Sequence, residues 1–108
     1  MSLEKTFKQA IDSQRKVKLT FFSQEDGHNL VRICAPMDFG PSRRAKNQDD
    51  RFHLWDFESD KANHVLSLLP DQVESIEIHN ENFNPSEFIT WSVSKSPWFY
   101  ARNWGQYS

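Results

Sequence analysis

The residues best suited to ligand chemistry lie in the middle of the chain, where basic side chains precede a histidine and a tryptophan. The candidate binding set is Arg43, Arg44, Lys46, Arg51, His53 and Trp55. A local basic cluster can contact phosphate or nucleic acid even when the whole chain is negative. The alternative interpretation is a solvated loop whose charge Asp49 and Asp50 partly neutralise.

A second group of chemically distinctive residues is the aromatic C-terminal segment. It contains Trp91, Trp98, Phe99, Tyr100, Trp104 and Tyr107. Soluble proteins rarely expose so many large rings, so the segment either folds over the core, forms an interface or stacks on bases. Interface anchors would be Trp98, Tyr100 and Trp104. Arg102 is a candidate cation–π partner for one of these rings.

Catalytic and metal chemistry have little support in the residue pattern. The four histidines are not spaced to bring three ligands to one metal ion. Cys34 lies between Ile33 and Ala35, which is typical of a cysteine that packs as a small hydrophobe rather than as a reactive thiolate. With three isolated glycines and no nucleophile motif, the chain is predicted to be non-enzymatic, without metal or cofactor.

Composition limits the class of protein. A chain of 108 residues has room for one core, and its nine phenylalanines and four tryptophans supplement a modest apolar fraction of 37%. The net charge of −2 gives no general attraction to nucleic acid or to an acidic membrane. A single cysteine excludes an internal disulfide, and no apolar run approaches the roughly 18 residues of a membrane span. We therefore expect a cytoplasmic protein.

Hydrophobic periodicity predicts one helix followed by five strands. Leu3, Phe7, Ala10 and Ile11 share one helical face, which predicts an amphipathic helix over residues 3–14 that Ser2 caps. The predicted strands are residues 16–22, 30–35, 51–58, 64–69 and 75–78. Pro36 is expected to end the second strand because it cannot donate to a ladder, and residues 37–50 are expected to form a long loop.

These elements predict a mainly β fold, namely a small, strongly bent five-stranded barrel of the SH3 or Sm type with an N-terminal helix. Closure into a barrel would remove the exposed edges of a flat sheet. The predicted organisation is a single barrel domain over residues 1–90 and an aromatic-rich extension over residues 91–108.

Several segments resemble the WYL domain, an Sm-like barrel of bacterial regulators. Phe52-His53-Leu54 stands where the family has Trp-Tyr-Leu, Leu66-Ser67-Leu68 resembles its Phe-Arg-Leu run, and Asp71-Gln72-Val73 its Asp-Arg-Ile run. The spacing of Arg32 and Pro36 and the segment Phe83-Asn84-Pro85 are also similar to the family. The resemblance covers about residues 15–88.

The resemblance implies a binding module that senses a ligand, often a nucleotide or nucleic acid, through basic positions. Here Ser67 and Gln72 replace both arginines, and His53 replaces the tyrosine. Losing the arginines removes bidentate contacts to phosphate. We therefore expect a stand-alone regulatory or binding module whose site is the barrel face at His53 and Trp55, and whose partner is a protein or a small anionic ligand. The alternatives are a nucleic-acid-binding module that uses the loop from Arg43 to Arg51, which we call the basic loop, and an assembly protein, such as a homo-oligomer, that uses the aromatic segment.

Overall fold

A computed structural model describes residues 2–42, 46–58, 65–90, 93 and 98–108 of the chain. Within these residues one α-helix precedes five strands: α1 (Leu3–Ser13), β1 (Arg15–Ser23), β2 (His28–Gly40), β3 (Arg51–Asp56), β4 (Val65–Leu68) and β5 (Val73–Asn82). Short 3₁₀ turns lie at Pro70–Gln72, Pro85–Glu87 and Gly105–Tyr107. The mainly β architecture with one helix is confirmed.

The helix begins at the predicted residue, Leu3, and ends at Ser13, one residue before the predicted end. The Ser2 hydroxyl accepts a hydrogen bond from the backbone N–H of Lys5 at 3.3 Å. Gln14 follows the helix in the left-handed conformation with φ of 52°. Phe7, Ala10 and Ile11 are buried against the sheet, which confirms the predicted apolar face. Within the described ranges no helix is long and apolar enough to cross a membrane.

The second strand is longer than the sequence predicts. It runs through Pro36, which lies opposite Leu54 of β3, and it continues to Gly40. The expectation that Pro36 ends the strand, and that the loop begins at Met37, is therefore wrong. The register shifts between Pro36 and Asp38, so the proline lies beside an irregularity, where its missing N–H is tolerated.

All five strands form one antiparallel sheet in the order β4-β3-β2-β1-β5. Within the described strands, β4 and β5 pair with their inner neighbours and not with each other, so the sheet does not close into a barrel. The predicted closure of the sheet into a barrel is therefore not found among the described strands, and the two end strands keep their outer edges. A consequence is that β5 presents one long edge to its surroundings.

The core lies between α1 and the sheet and extends to the C-terminal residues. Phe7 of α1 meets Phe52 of β3 edge to face, with ring centroids 5.0 Å apart. Farther along the chain, Trp104 contacts Phe83 in a similar arrangement at 5.3 Å. The described part of the extension 91–108 therefore packs on the same core as the sheet.

Candidate functional site

The predicted site on β3 has its histidine engaged within the chain. The His53 Nδ1 atom lies 2.9 Å from the Ser67 hydroxyl on β4, and its Nε2 atom lies 2.9 Å from the backbone carbonyl of Gly40 on β2. The imidazole therefore links three neighbouring strands. Both ring nitrogens are used in this way, so a ligand could bind His53 only by displacing a contact that holds the sheet together.

Trp55 also takes part in internal packing. Its ring stacks on that of Phe88, with centroids 5.8 Å apart and planes inclined by 20°. The side chain is partly buried and lies against the hydrophobic core. A partner approaching this strand would thus meet only part of the indole ring.

The basic loop is bordered by carboxylates. Lys46 is exposed, and the Nε atom of Arg51 is buried without a hydrogen-bond partner among the described residues. Arg43 and Arg44 lie outside the described residues. The carboxylates of Asp49, Asp50 and Asp71, together with Phe39, Leu69 and Pro70, line a shallow groove of about 470 Å³. These carboxylates oppose the binding of a phosphate at this end of the sheet.

The aromatic segment contacts α1 and its own backbone. Trp104 is buried, and its indole N–H donates to the backbone carbonyl of Ile11 at 2.8 Å. The indole N–H of Trp98 donates to the carbonyl of Tyr107 at 2.7 Å. The Tyr100 hydroxyl donates to Asp12 at 2.7 Å. The three residues predicted as interface anchors are thus engaged within one chain, and Trp104 presents almost no surface to a partner.

A buried carboxylate attaches this segment to β2. Asp38 accepts the backbone N–H groups of Phe39 at 3.0 Å and of Phe99 and Tyr100 at 2.9 Å each. It also accepts from the Arg102 guanidinium at 3.2 Å. Four charge-assisted hydrogen bonds compensate for removing this carboxylate from water.

The guanidinium of Arg102 lies between two indole rings. Its central carbon is 4.1 Å from the ring centroid of Trp98 and 4.4 Å from that of Trp104, which confirms the predicted cation–π contact. It also donates to the carbonyls of Met37 and Tyr100. Burial lowers the pKa of Arg102 to about 10. The sequence singled out Arg102 but contained no signal that Asp38 would be its partner.

Cys34 has the environment of a structural cysteine. It is fully buried in β2 opposite Asp56. Burial, with smaller contributions from Asp56 and Glu58, raises the pKa of the Cys34 thiol far above its ordinary value. Among the described residues there is no group of three histidine, cysteine or carboxylate side chains that could hold a metal ion.

A concave surface with apolar lining lies between α1 and β5, and we call it the edge groove. It has a volume of about 410 Å³. It is lined by Ser2, Leu3, Thr6 and Gln9 of the helical end and by Glu74, Ser75, Ile76, Glu77 and Ile78 of β5. Sequence reasoning identified the strand here but not the groove, because strand order decides which strand lies at the edge.

An exposed isoleucine distinguishes this groove. Ile76 and Ile78 lie opposite Leu19 and Val17 of β1, so their side chains point to the covered face of the sheet. Ile76 is buried, but Ile78 is 37% exposed. An exposed β-branched side chain beside an open strand edge can pack against an added segment.

Comparisons with models of protein families, with curated proteins and with solved structures found no match.

Proposed function

We propose that this chain is a non-catalytic binding module of the SH3/Sm-like type, related to the WYL domain, which holds a protein segment in the edge groove. The observation that carries this proposal is the groove itself: an open strand edge, β5, beside the partly exposed apolar side chain of Ile78. Strand edges present unpaired backbone donors and acceptors, which extended segments of other proteins can bind.

The order of elements supports the finer fold assignment. A helix precedes the sheet, β1 lies between β2 and β5, and a 3₁₀ turn at Pro70–Gln72 joins β4 to β5. This strand order and the 3₁₀ turn before the last strand are those expected of an SH3/Sm-like sheet. The module would then keep the frame of its WYL-like relatives while using a different surface.

The structural observations favour a protein ligand over a small anionic ligand. Beside the basic loop, Asp49, Asp50 and Asp71 surround the groove that a phosphate would approach. The ring nitrogens of His53 already contact Ser67 and Gly40. The edge groove instead combines apolar side chains with an open backbone edge, and this combination suits a polypeptide.

Selection of peptides on the immobilised chain tests the proposal. Random linear peptides would be enriched by display, and their affinities would be measured for the parent chain and for Ile78→Asp. We expect at least about a tenfold loss of affinity in the variant, which corresponds to about 1.4 kcal/mol. Because Ile78→Asp could disturb the strand, Gln9→Trp, which fills the groove from an exposed helical position, provides an independent block.

Val31→Asp is the matched control. Val31 is also a β-branched residue on a strand and is 50% exposed, but it lies opposite Thr20 on the other face of the sheet. We expect the selected peptides to bind Val31→Asp as they bind the parent. If no enriched peptide loses affinity with Ile78→Asp or Gln9→Trp, the edge groove is not the binding site and the proposal is wrong.

A further inference from the structure

The lining of the edge groove shows that it follows the backbone of β5. Successive side chains of a strand point to opposite faces, so a cavity on one face is lined by alternate residues. Here five consecutive residues, Glu74 to Ile78, all line the groove. The groove therefore lies along the edge of the strand, where its outward N–H and C=O groups are accessible.

The described strands leave this edge open. β5 is the last strand of the sheet and pairs on its inner side with β1. Among the described residues, no backbone hydrogen bond from any segment other than β1 reaches Glu74–Ile78. An extended segment of another chain can add here as a sixth strand.

The two faces beside this edge differ in chemistry. On the covered face, Leu3, Ile76 and Ile78 form an apolar wall. Glu77 faces the opposite side, because it lies next to Lys18 of β1, and its side chain is 67% exposed. A complementary strand would place apolar side chains toward α1 and basic side chains toward the carboxylates.

The inner neighbour of β5 already has this pattern. In β1 the buried Val17 and Leu19 alternate with Lys16 and Lys18. Lys16 pairs with Glu81 at 3.4 Å and Lys18 with Glu77 at 3.8 Å. One edge of β5 therefore binds a strand of alternating lysine and apolar residues, while the side chains of Glu77 and Glu81 remain largely exposed.

A second copy of β5 does not complement this edge. β5 carries three glutamates, at positions 74, 77 and 81, and no lysine or arginine. Pairing two such strands would bring carboxylates of both copies together, which is destabilising in cross-strand pairs. The charge pattern thus favours a basic partner over self-association through β5.

We infer that the ligand of the edge groove is an extended protein segment with alternating apolar and basic residues, which adds as a strand to the free edge of β5. This inference rests on the proposed function and specifies its partner. The apolar residues of the segment contact Ile78 and Leu3, and its lysine or arginine residues pair with Glu77 and with Glu74. Glu74 lies at the register shift between Val73 and Ser75, which interrupts the alternation of β5.

Synthetic peptides test this chemistry directly. The probe is a fluorescein-labelled peptide of alternating lysine and valine, and its matched control has glutamate in place of lysine. Fluorescence anisotropy should show binding of the lysine peptide alone, with an affinity that falls as salt is raised. The double variant Glu74→Gln/Glu77→Gln should weaken this binding at low salt about tenfold or more, whereas Asp49→Asn, an exposed acid elsewhere, should not.

N-methylation tests the strand geometry. Because backbone N–H groups of a strand alternate between its two edges, methylating every valine and methylating every lysine block opposite edges of the peptide. One methylated series should lose binding and the other should keep it. Equal behaviour of the two series would show that no strand is added.

The other outcomes separate this inference from the proposed function. If peptides from the display selection depend on Ile78 but are acidic or helical, the groove binds protein and the inferred chemistry is wrong. The inferred chemistry is also wrong if sedimentation shows a dimer of the parent chain and a monomer for Ile78→Asp, because a second copy of the chain then occupies the groove. If no selected peptide depends on the groove, the proposed function itself fails.

Discussion

The carboxylate of Asp38 and the guanidinium of Arg102 lie 3.2 Å apart, and both side chains are almost fully removed from solvent. Asp38 belongs to β2, and Arg102 belongs to the aromatic C-terminal segment. Because Asp38 also holds the backbone of Phe99 and Tyr100, this one carboxylate attaches the segment to the sheet.

Breaking this pair should destabilise the chain strongly. Asp38→Asn or Arg102→Met leaves one buried charge without its partner, and such changes cost about 3–5 kcal/mol. Urea denaturation would measure the free energy of unfolding, with Asp49→Asn as the exposed control, for which we expect a change below about 0.5 kcal/mol. The double variant should cost less than the sum of the single changes. Additive effects would show that the two side chains do not interact.

Gly40 should not tolerate a side chain. A Cβ atom at this position would lie 2.6 Å from the ring and Cβ of Phe99. Gly40→Ala should therefore displace the aromatic segment and lower the stability by about 1–3 kcal/mol. Thermal unfolding would measure this loss. In a Phe99→Gly background, Gly40→Ala should lower the stability only slightly. If the loss of stability is as large in that background, the added Cβ atom does not clash with Phe99.

The hydrogen bond between Tyr100 and Asp12 should produce a distinct alkaline titration. This hydrogen bond raises the pKa of Tyr100 above its ordinary value of 10.0. Since the folded state favours the neutral phenol, the contribution of this bond to stability is complete below pH about 10 and is lost as the pH rises through the raised pKa.

Tyrosinate absorbance measures this titration. With Tyr107→Phe as the background, Tyr100 is the only remaining tyrosine. Adding Asp12→Asn should then lower the pKa of Tyr100, because the negative partner is removed. If Asp12→Asn leaves the pKa of Tyr100 unchanged, the hydrogen bond between Tyr100 and Asp12 does not form in solution.

Cys34 should be unreactive in the folded protein. Its thiol is buried, and its raised pKa keeps it protonated at neutral pH, so little thiolate is available for alkylation. Iodoacetamide should modify Cys34 slowly in buffer and rapidly in denaturant, as followed by mass spectrometry. Rapid modification without denaturant would instead indicate an accessible, reactive cysteine.

Much of the secondary structure is predictable from the sequence because it depends on local periodicity. Alternation around Val17 and Leu19 predicts β1, and the spacing of Phe7 and Ile11 predicts α1. The sequence predicts too short a second strand because Pro36 is a strong local stop signal. In the structure, Pro36 lies opposite Leu54 and the register shifts before Asp38, so the strand continues past the proline. Neither feature can be predicted from the residues next to Pro36.

The candidate site was less predictable than the fold. The predicted site has residue types that suit ligand contact. However, both ring nitrogens of His53 already contact Ser67 and Gly40, and the ring of Trp55 stacks on Phe88. Ile78, in contrast, is an ordinary strand residue by sequence. Its significance depends on the position of β5 at the end of the sheet, beside the edge groove.

The sequence by itself determined the helix, the approximate positions of the strands and their apolar faces, because these follow from preferences that act over a few residues. Only the tertiary structure decided that Asp38 would meet Arg102 and that β5 would keep an open edge beside Ile78. Such relationships join residues far apart in the chain. They arise from the order in which strands pair and from the way the final aromatic residues fill the remaining core, and local sequence does not encode either.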